Sequence, residues 1–298
     1  MPFSGKEKTI NGNQKRTEKK KQTRNEKTIP AAVRRPPSKS GVRKSKGGVF
    51  PRTKYSISQN FLTSSITIKK LLQKTSIRKT DSVVEIGAGK GHMTKELAVV
   101  CRQVTAYEAD WALAEALVPK MEQYKNVRII KKDFLKTPLP PKGDYKVFSN
   151  IPFSITSDII RKLTEKESSP TDIWIVMEKG AAVRFLGKKY ETPASLSLKP
   201  FFDAKIVYYF EKKDFHPEPS VDTVFLHLQK KKEPDIPFSQ KKKFLQFIDV
   251  SQKYGLLKLL TRKQISVALK NAGLPPLNDS EELTYRHWLF FFRASQGE

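Results

Sequence analysis

The tetrapeptide Asn150-Ile151-Pro152-Phe153 contains the residues best suited to carry out chemistry in this sequence. The side-chain oxygen of Asn150 and the backbone carbonyl of Ile151 can accept two hydrogen bonds from the exocyclic amine of an adenine. That amine is a poor nucleophile because its lone pair is delocalised into the ring, so two acceptors that disfavour planarity promote attack. Pro152 removes a backbone donor, and Phe153 offers a stacking face to a base that has left its helix. Taken alone, the tetrapeptide equally fits a turn at a strand end with an aromatic side chain in the core.

A glycine cluster has the sequence Glu85-Ile86-Gly87-Ala88-Gly89-Lys90-Gly91. Such a cluster indicates a turn at which the backbone can approach a ligand closely. Its spacing is G-x-G-x-G, which differs from the dinucleotide pattern G-x-G-x-x-G and lacks the G-K-[ST] ending of a phosphate loop. A phosphate-free nucleoside such as S-adenosylmethionine therefore fits this loop better than a nucleotide. A purely structural tight turn is the alternative.

Two carboxylates follow the next two apolar runs. Glu108 lies 21 residues after Gly87, at the end of the second run. In a doubly wound fold a carboxylate at that place can accept hydrogen bonds from both ribose hydroxyls of a cofactor. Asp133 follows the third run, where it could bind the amino group of the cofactor's adenine. Capping of the next helix is an equally good interpretation of Asp133.

The elements that must position these residues alternate between strands and helices. Strands are predicted at residues 82–86, 104–108, 127–130, 145–148 and 173–177, and helices at residues 94–100, 112–123 and 156–164. This alternation predicts an α/β fold with a mostly parallel, Rossmann-like sheet between helices. Two further apolar runs, residues 204–210 and 223–229, have no long helix between them. We expect them to pair antiparallel at one edge of the sheet.

Three domains are predicted from composition. Residues 1–54 carry 17 basic and 3 acidic residues, which predicts a disordered basic arm that either tracks phosphates or is merely a solubilising extension. Residues 55–232 form the predicted catalytic domain. Residues 233–298 form a predicted helical, RNA-binding domain, with helices near residues 240–250, 255–271 and 280–292.

The overall charge of +27 favours polyanionic partners, and +13 of it remains outside the arm. The sequence has no run of 18 apolar residues to span a bilayer, and its N-terminus lacks the apolar core of a secretory signal. Cys101 is the only cysteine, so no intramolecular disulfide can form, and no cluster of cysteine, histidine and aspartate supports a metal site. Nucleic acid, an anionic membrane surface and an acidic protein all suit this charge, whereas the other features predict a cytoplasmic protein with no membrane-spanning role.

Deleting residues 1–54 is expected to weaken RNA binding and to flatten its salt dependence, because the arm contributes +14 of the charge. Cofactor affinity should not change. Binding isotherms at several salt concentrations check this, and an unaltered salt slope would contradict it.

Several motifs together resemble the Erm and KsgA/Dim1 superfamily of rRNA adenine N6-methyltransferases, and most closely Erm. The resemblance runs from about Tyr55 to about Lys232. The motifs are Ser58-Gln59-Asn60-Phe61-Leu62, the glycine cluster with His92-Met93-Thr94, Glu108 with Asp110, Asp133, the tetrapeptide with Ser157-Asp158-Ile159-Ile160, and the F-x-P-x-P segment that begins at Phe215.

The resemblance implies a class I S-adenosylmethionine-dependent methyltransferase fold with a small helical C-terminal domain, in a monomeric protein. It implies an adenine of 23S rRNA at the peptide tunnel as target, with resistance to macrolide, lincosamide and streptogramin B antibiotics. The implied cofactor contacts are Asn60, Leu62, Gly87, Glu108, Asp133 and Asn150. Asn150 and Phe153 would contact the target adenine, with Ile151 and Pro152 beside them. The alternatives are a small-subunit rRNA dimethyltransferase of the KsgA/Dim1 type and a noncatalytic ribosome assembly factor.

One departure from the family concerns Phe153, where tyrosine is more common; the stacking face is kept and the hydroxyl is lost. Basic residues outside the motifs are the candidate RNA contacts, although each is equally a solvated surface charge. They are Arg184, Lys241, Lys242, Lys243, Arg262 and Lys263.

Overall fold

The computed structural model describes residues 60–140, 144–278 and 282–298. The predicted basic arm, Ser58, Gln59 and the predicted start of the last helix at Ser280 lie outside these residues. No helix within the described ranges is both long and apolar enough to cross a lipid bilayer.

The described residues form strands and helices in alternation. The strands are β1 (Phe61–Leu62), β2 (Ser82–Ile86), β3 (Gln103–Tyr107), β4 (Val127–Ile130), β5 (Tyr145–Asn150), β6 (Asp172–Glu178), β7 (Phe202–Tyr209), β8 (Phe215–His216) and β9 (Thr223–Lys230). The helices are α1 (Ser65–Leu72), α2 (His92–Val100), α3 (Trp111–Met121), α4 (Thr156–Leu163), α5 (Lys179–Leu186), α6 (Pro193–Leu198), α7 (Lys241–Tyr254), α8 (Arg262–Ala272) and α9 (Tyr285–Gln296).

The main sheet has seven strands in the order β4-β3-β2-β5-β6-β9-β7. The five strands β2 to β6 are parallel, because a helix returns the chain to the starting edge between most consecutive strands. Strand β9 pairs antiparallel with β6, and β7 pairs antiparallel with β9. The predicted mostly parallel sheet with an antiparallel edge is therefore confirmed.

Alternate side chains along the strands belong to two hydrophobic clusters, one on each face of the sheet. In β5, Phe148 packs with the α2 and α3 residues Leu97 and Leu117, whereas its neighbour Val147 packs with Ile159 of α4. Strands that are buried on both faces are continuously apolar. This explains why the central strands could be recognised in the sequence as short, mainly apolar runs.

The C-terminal helices α7, α8 and α9 share one hydrophobic cluster with this second face of the sheet. Phe244 and Phe247 of α7 meet Phe292 of α9 edge to face, with ring centroids 5.2 and 5.8 Å apart. Helix α8 begins at Arg262, not at Gly255 as the sequence predicted. Gly255 has a φ of +83°, and a short 3-10 turn separates it from the Thr261 cap that starts α8.

A separate two-stranded sheet joins two segments that are far apart in the sequence. Strand β1 pairs antiparallel with β8, so that Phe61 lies opposite His216 and Leu62 opposite Phe215. The F-x-P-x-P segment thus holds the start of the described chain, and the side chains of Leu62 and Phe215 are buried in the same cluster as α1 and α2. Neither β1 nor α1 was predicted from the sequence.

Candidate active site

Two adjoining cavities open where the carboxyl ends of β2, β3 and β5 meet. Gly87, Ile151 and Pro152 line both of them. The first, which we call the tetrapeptide cavity, has an empty volume of about 550 Å³ that includes open solvent at its mouth, and it is lined by Asn60, Phe61, Leu62, Glu85, Gly87, Ala88, Gly89, Lys90, His92, Met93, Asn150, Ile151, Pro152 and Phe153. The second, the carboxylate cavity, has an empty volume of about 470 Å³, likewise open to solvent, and it is lined by Ile86, Gly87, Tyr107, Glu108, Ala109, Asp110, Lys132, Asp133, Phe134, Ile151, Pro152, Ile155 and Ile159.

The glycine loop forms the wall between β2 and α2. The backbone N–H of Gly87 donates to the carbonyl of Tyr107 at 2.8 Å, which ties the loop to β3. Gly89 has a φ of +53°, and a Cβ atom there would lie only 2.8 Å from Cε1 of Phe61. Glycine is therefore required at this position both by the backbone conformation and by the close approach of β1.

Glu108 is buried at the end of β3 and holds the glycine loop. Its Oε2 accepts a hydrogen bond from the backbone N–H of Gly89 at 2.7 Å, and its Oε1 accepts one from Asp110 at 2.8 Å. Burial raises the pKa of this carboxyl, and the backbone hydrogen bonds oppose that rise. A carboxylate has about four acceptor directions. The backbone N–H of Ala109 also interacts favourably with this carboxyl, which lines the carboxylate cavity with its remaining acceptor capacity.

Asp133 has the capping contact that was one of the two interpretations of the sequence. Its Oδ1 accepts a hydrogen bond from the backbone N–H of Leu135 at 2.9 Å, so it caps the 3-10 turn Phe134–Lys136. It also lines the carboxylate cavity. The ring of Phe134 lies edge-on to Tyr107, with centroids 5.1 Å apart, and provides an apolar wall beside both carboxylates. Apolar walls with carboxylate acceptors suit an adenosine.

Glu85 is a site residue that sequence analysis missed. Its side chain is 1 % exposed, lines the tetrapeptide cavity and accepts a hydrogen bond from the Thr94 hydroxyl at 2.6 Å. Desolvation raises the pKa of Glu85 from 4.5 to about 8, and the nearby Glu108 carboxylate adds to that rise while Thr94 opposes it. A lone carboxylate among the apolar residues of β2 was the available signal. Such a group suits a cationic ligand such as an ammonium.

The tetrapeptide cavity presents two acceptors to a substrate amine. The Asn150 side-chain amide donates from Nδ2 to the backbone carbonyl of Asn60 at 2.8 Å, which fixes the orientation of the Oδ1 atom. The Pro152 carbonyl is occupied, because it accepts from the N–H of Ile155 at 3.1 Å. Within the described residues, no donor contacts the Ile151 carbonyl. Phe153 is partly exposed and lines the same cavity.

The structure brings all of the predicted cofactor and catalytic residues to these two cavities. The candidate RNA contacts lie elsewhere: Arg184 is exposed on α5, and Lys242, Lys243, Arg262 and Lys263 are exposed on α7 and α8. Lys241 differs from them. Its ammonium donates to the carbonyl of Thr164 at 2.8 Å and lies 5.2 Å from the ring centre of Phe201, and burial lowers its pKa to about 8.

A family model for ribosomal RNA adenine dimethylases matches residues 51–272. Among curated proteins, the chain is 38% identical over 226 residues to an rRNA adenine N-6-methyltransferase of Lysinibacillus sphaericus, which covers 74% of this chain and 89% of the relative. It is 34% identical over 237 residues to the protein of the same name from Limosilactobacillus reuteri, with coverage of 80% and 94%.

Two solved structures extend these similarities to three dimensions. The crystal structure of the 23S rRNA methyltransferase ErmE matches with a TM-score of 0.69 and 26% sequence identity, covering 80% of this chain and 100% of ErmE. A dimethyladenosine transferase from Plasmodium falciparum matches with a TM-score of 0.57 and 22% identity, covering 76% of this chain and 86% of that protein. The latter shows the same fold.

Proposed function

The chain belongs to the ribosomal RNA adenine dimethylase family, and from this premise we propose that its target is an adenine of 23S rRNA and that it confers resistance to macrolide, lincosamide and streptogramin B antibiotics. Its class I methyltransferase fold and its activity, the S-adenosylmethionine-dependent N6-methylation of adenine in rRNA, follow from the family. The single observation that carries the 23S assignment is the match to ErmE along the whole of that chain.

We propose that Asn150 and Ile151 prepare the adenine amine for attack. The Asn150 Oδ1 atom and the Ile151 carbonyl accept its two hydrogens, so that the nitrogen lone pair is directed out of the ring plane. Bound S-adenosylmethionine supplies the methyl group as an electrophile on its sulfonium. Phe153 stacks on the displaced base, and the protein's contribution is orientation and exclusion of water, without a titrating general base. After transfer, the methylated nitrogen loses its extra proton to solvent.

Asn60 acts in this scheme through its backbone. Because its carbonyl accepts from the Asn150 Nδ2 atom at 2.8 Å, the Asn150 side chain cannot turn its NH2 group toward the amine without losing this bond. An NH2 group in that place would repel the amine hydrogens. The β1–β8 pair therefore positions a catalytic side chain as well as lining the cavity.

The residues around the two cavities fit the cofactor in chemical type. We propose that Glu108 accepts the ribose hydroxyls and Asp133 the amino group of the adenine, as the carboxylate cavity allows. Glu85 suits the ammonium of the amino-acid part, with Asn60, Leu62, Gly87 and Asn150 completing the contacts. The supporting observation is the buried carboxyl of Glu85, which has a hydrogen bond from Thr94 but no salt-bridge partner among the described residues.

Cofactor binding is expected to strengthen as pH rises from about 6 to about 8 and then to level off. The Glu85 carboxyl is protonated below its raised pKa of about 8, and an ammonium partner stabilises the ionised form, so binding releases a proton in this window. The affinity should rise by up to roughly tenfold per pH unit. Calorimetry in buffers of different ionisation enthalpy counts the released protons.

Glu85→Gln is the matched control for this prediction, because it keeps the shape of the side chain and does not titrate. We expect weaker cofactor binding in Glu85→Gln and a flatter pH profile. The free energy of unfolding of the parent should fall between pH 4.5 and about 8, since the folded state binds this proton more tightly than the unfolded state. A parent protein that releases no proton on binding would contradict the assignment of Glu85.

We propose that Arg184, Lys242, Lys243, Arg262 and Lys263 contact rRNA phosphates, because they are exposed cations. Lys241 is a weaker candidate than its neighbours, since its ammonium is already bound to Thr164. We further propose that the protein acts as a monomer in the cytoplasm, where its ribosomal substrate is assembled, with residues 55–232 as catalytic domain and residues 233–298 as RNA-binding domain.

Mapping of the methylated nucleotide tests the 23S target. Total rRNA from a host that expresses the chain should carry an additional N6-methylated adenine in 23S rRNA, detected by mass spectrometry of mapped fragments. The same host should tolerate macrolides, and a host with the Asn150→Ala variant should not. Methylation of adenines near the 3′ end of the small-subunit rRNA would show that the alternative of the KsgA/Dim1 type is correct. The family match and the intact tetrapeptide argue against a noncatalytic assembly factor.

A further inference from the structure

Residues 250–278 contain five basic residues and no acidic residue. They are Lys253, Lys258, Arg262, Lys263 and Lys270. This stretch contains the end of α7, a short turn and α8. Since the chain as a whole has about one acidic residue for every two basic ones, this run is enriched in positive charge, although the exposed Asp249 precedes it and lies one helical turn from Lys253.

The turn between α7 and α8 is anchored to the core while presenting apolar side chains to solvent. Leu260 is buried in the same cluster as α7 and α9, and Leu256 packs against that cluster. Between and beside these two anchors, Leu257 is 59 % exposed, Leu259 39 % and Tyr254 60 %. We call residues 253–263 the cationic tip. Its exposed apolar surface is held in place by its own inward-facing leucines.

The start of α8 adds further positive potential to the cationic tip. Arg262 and Lys263 occupy its first turn, and that turn has no acidic residue. Cations at the N-terminus of a helix are unfavourable beside the positive end of the helix dipole, unless an anion binds there. Both side chains are exposed, so they are accessible to such an anion.

Tyr254 is the exposed aromatic residue of the cationic tip. The ammonium of Lys253 sits 5.1 Å from the centre of its ring, and most of the side chain is open to solvent. An exposed aromatic ring flanked by cations is the combination with which proteins bind unpaired nucleotides, because the base stacks on the ring and the phosphates meet the cations. A surface that bound phosphates by charge alone would not require the side chains of Tyr254, Leu257 and Leu259 to be exposed to solvent.

We infer that the cationic tip is a docking surface for rRNA that stacks an unpaired base on Tyr254, beside Leu257, while Lys258, Arg262 and Lys263 bind the adjoining phosphates. This inference rests on the proposed function in taking rRNA as the occupant, and adds to it a second contact formed by apolar side chains. Charge complementarity with a polyanion and the absence of carboxylates in residues 250–278 support rRNA as that occupant.

Binding of deproteinised total rRNA by the full chain tests the cationic tip. The double variant Tyr254→Ala/Leu257→Ala should raise the Kd for this RNA by about 5- to 100-fold, the range expected for loss of one stacked base. Tyr254→Phe keeps the ring and should remain within about twofold of the parent. Lys258→Gln/Arg262→Gln should lower the slope of log affinity against log salt by roughly 1.4 to 1.8, as for two lost phosphate contacts.

Ile66→Ala/Val99→Ala is the matched control, because it removes exposed apolar side chains from α1 and α2. It should bind rRNA like the parent, and every variant should keep the parent's cofactor affinity and circular dichroism spectrum. Unchanged RNA binding by Tyr254→Ala/Leu257→Ala would overturn the inference. The inference would also be overturned if this variant lost binding to phosphatidylserine vesicles and kept its binding to rRNA. The surface would then be a membrane contact. Since total rRNA is the probe, a wrong 23S assignment would appear only in the mapping of the methylated nucleotide.

Discussion

Asn150→Ala is expected to reduce the rate of methyl transfer by about 10³-fold, the upper range for removing one preorganised hydrogen-bonding group from an active site. The variant loses the Oδ1 acceptor that directs the lone pair of the adenine amine. The Ile151 carbonyl alone cannot hold both hydrogens. Single-turnover transfer of a labelled methyl group to 23S rRNA, with saturating cofactor, measures this step.

The variant should remain folded, because among the described residues the Asn150 side chain makes one hydrogen bond, to the Asn60 carbonyl. Its loss should lower the free energy of unfolding by about 0.5 to 1.5 kcal/mol. Cofactor affinity should fall by no more than about tenfold, since the main carboxylate contacts are intact.

Asn126→Ala provides a matched control. The Nδ2 atom of Asn126 also donates to backbone carbonyls, those of Ala98 and Cys101 at 2.9 and 3.1 Å, but the residue lines neither cavity. It should lose stability and keep the parent rate per folded molecule. If Asn150→Ala transferred methyl groups at the parent's rate, the proposed role of the tetrapeptide would be wrong.

Glu108→Ala is expected to weaken cofactor binding by about 10- to 100-fold. The variant removes the proposed acceptor of the ribose hydroxyls, and hydrogen bonds to charged groups contribute about 1.5 to 3 kcal/mol. It also leaves the buried N–H of Gly89 without its carboxylate partner, so the glycine loop loses one of its contacts with the end of β3 and keeps those to the Tyr107 carbonyl. Calorimetric titration with S-adenosylmethionine measures the effect without RNA.

Two further variants separate the role of the carboxylate from general damage to the fold. Glu108→Gln keeps an acceptor oxygen and should fall between the parent and Glu108→Ala. Glu115→Ala, which removes an exposed glutamate of α3 that pairs with Lys131, should bind the cofactor like the parent. Equal cofactor affinity in Glu108→Ala and the parent would rule out the ribose contact.

Local sequence signals were sufficient for the strands and for the motifs at their ends. Strands such as β2 and β4 were predicted with the bounds that the structure has, because each is a short run dominated by valine and isoleucine. Gly87 and Glu108 directly follow strands β2 and β3, and Asn150 is the last residue of β5. Parallel strands end at one edge of a sheet, so recognising the strands was enough to predict that these three residues meet.

Contacts between distant segments could not be predicted in the same way. The Asn60 carbonyl reaches Asn150 across 90 positions of the sequence, and only the pairing of β1 with β8 brings it there. Strands of two residues, such as β1 and β8, are too short to produce a periodic pattern. Helix α1 was missed because its short amphipathic pattern offered too little signal.

The sequence by itself determined the fold class, the chemistry of the two cavities and the family, because each depends on residue type and on spacing along the chain. Only the tertiary structure decided how much water surrounds each group. It buries Glu85 and so raises its pKa to about 8, turns Lys241 inward toward Thr164 while Lys242 faces solvent, and exposes Tyr254 and Leu257 among cations. Desolvation and exposure arise from neighbours that are remote in sequence, so no local pattern encodes them.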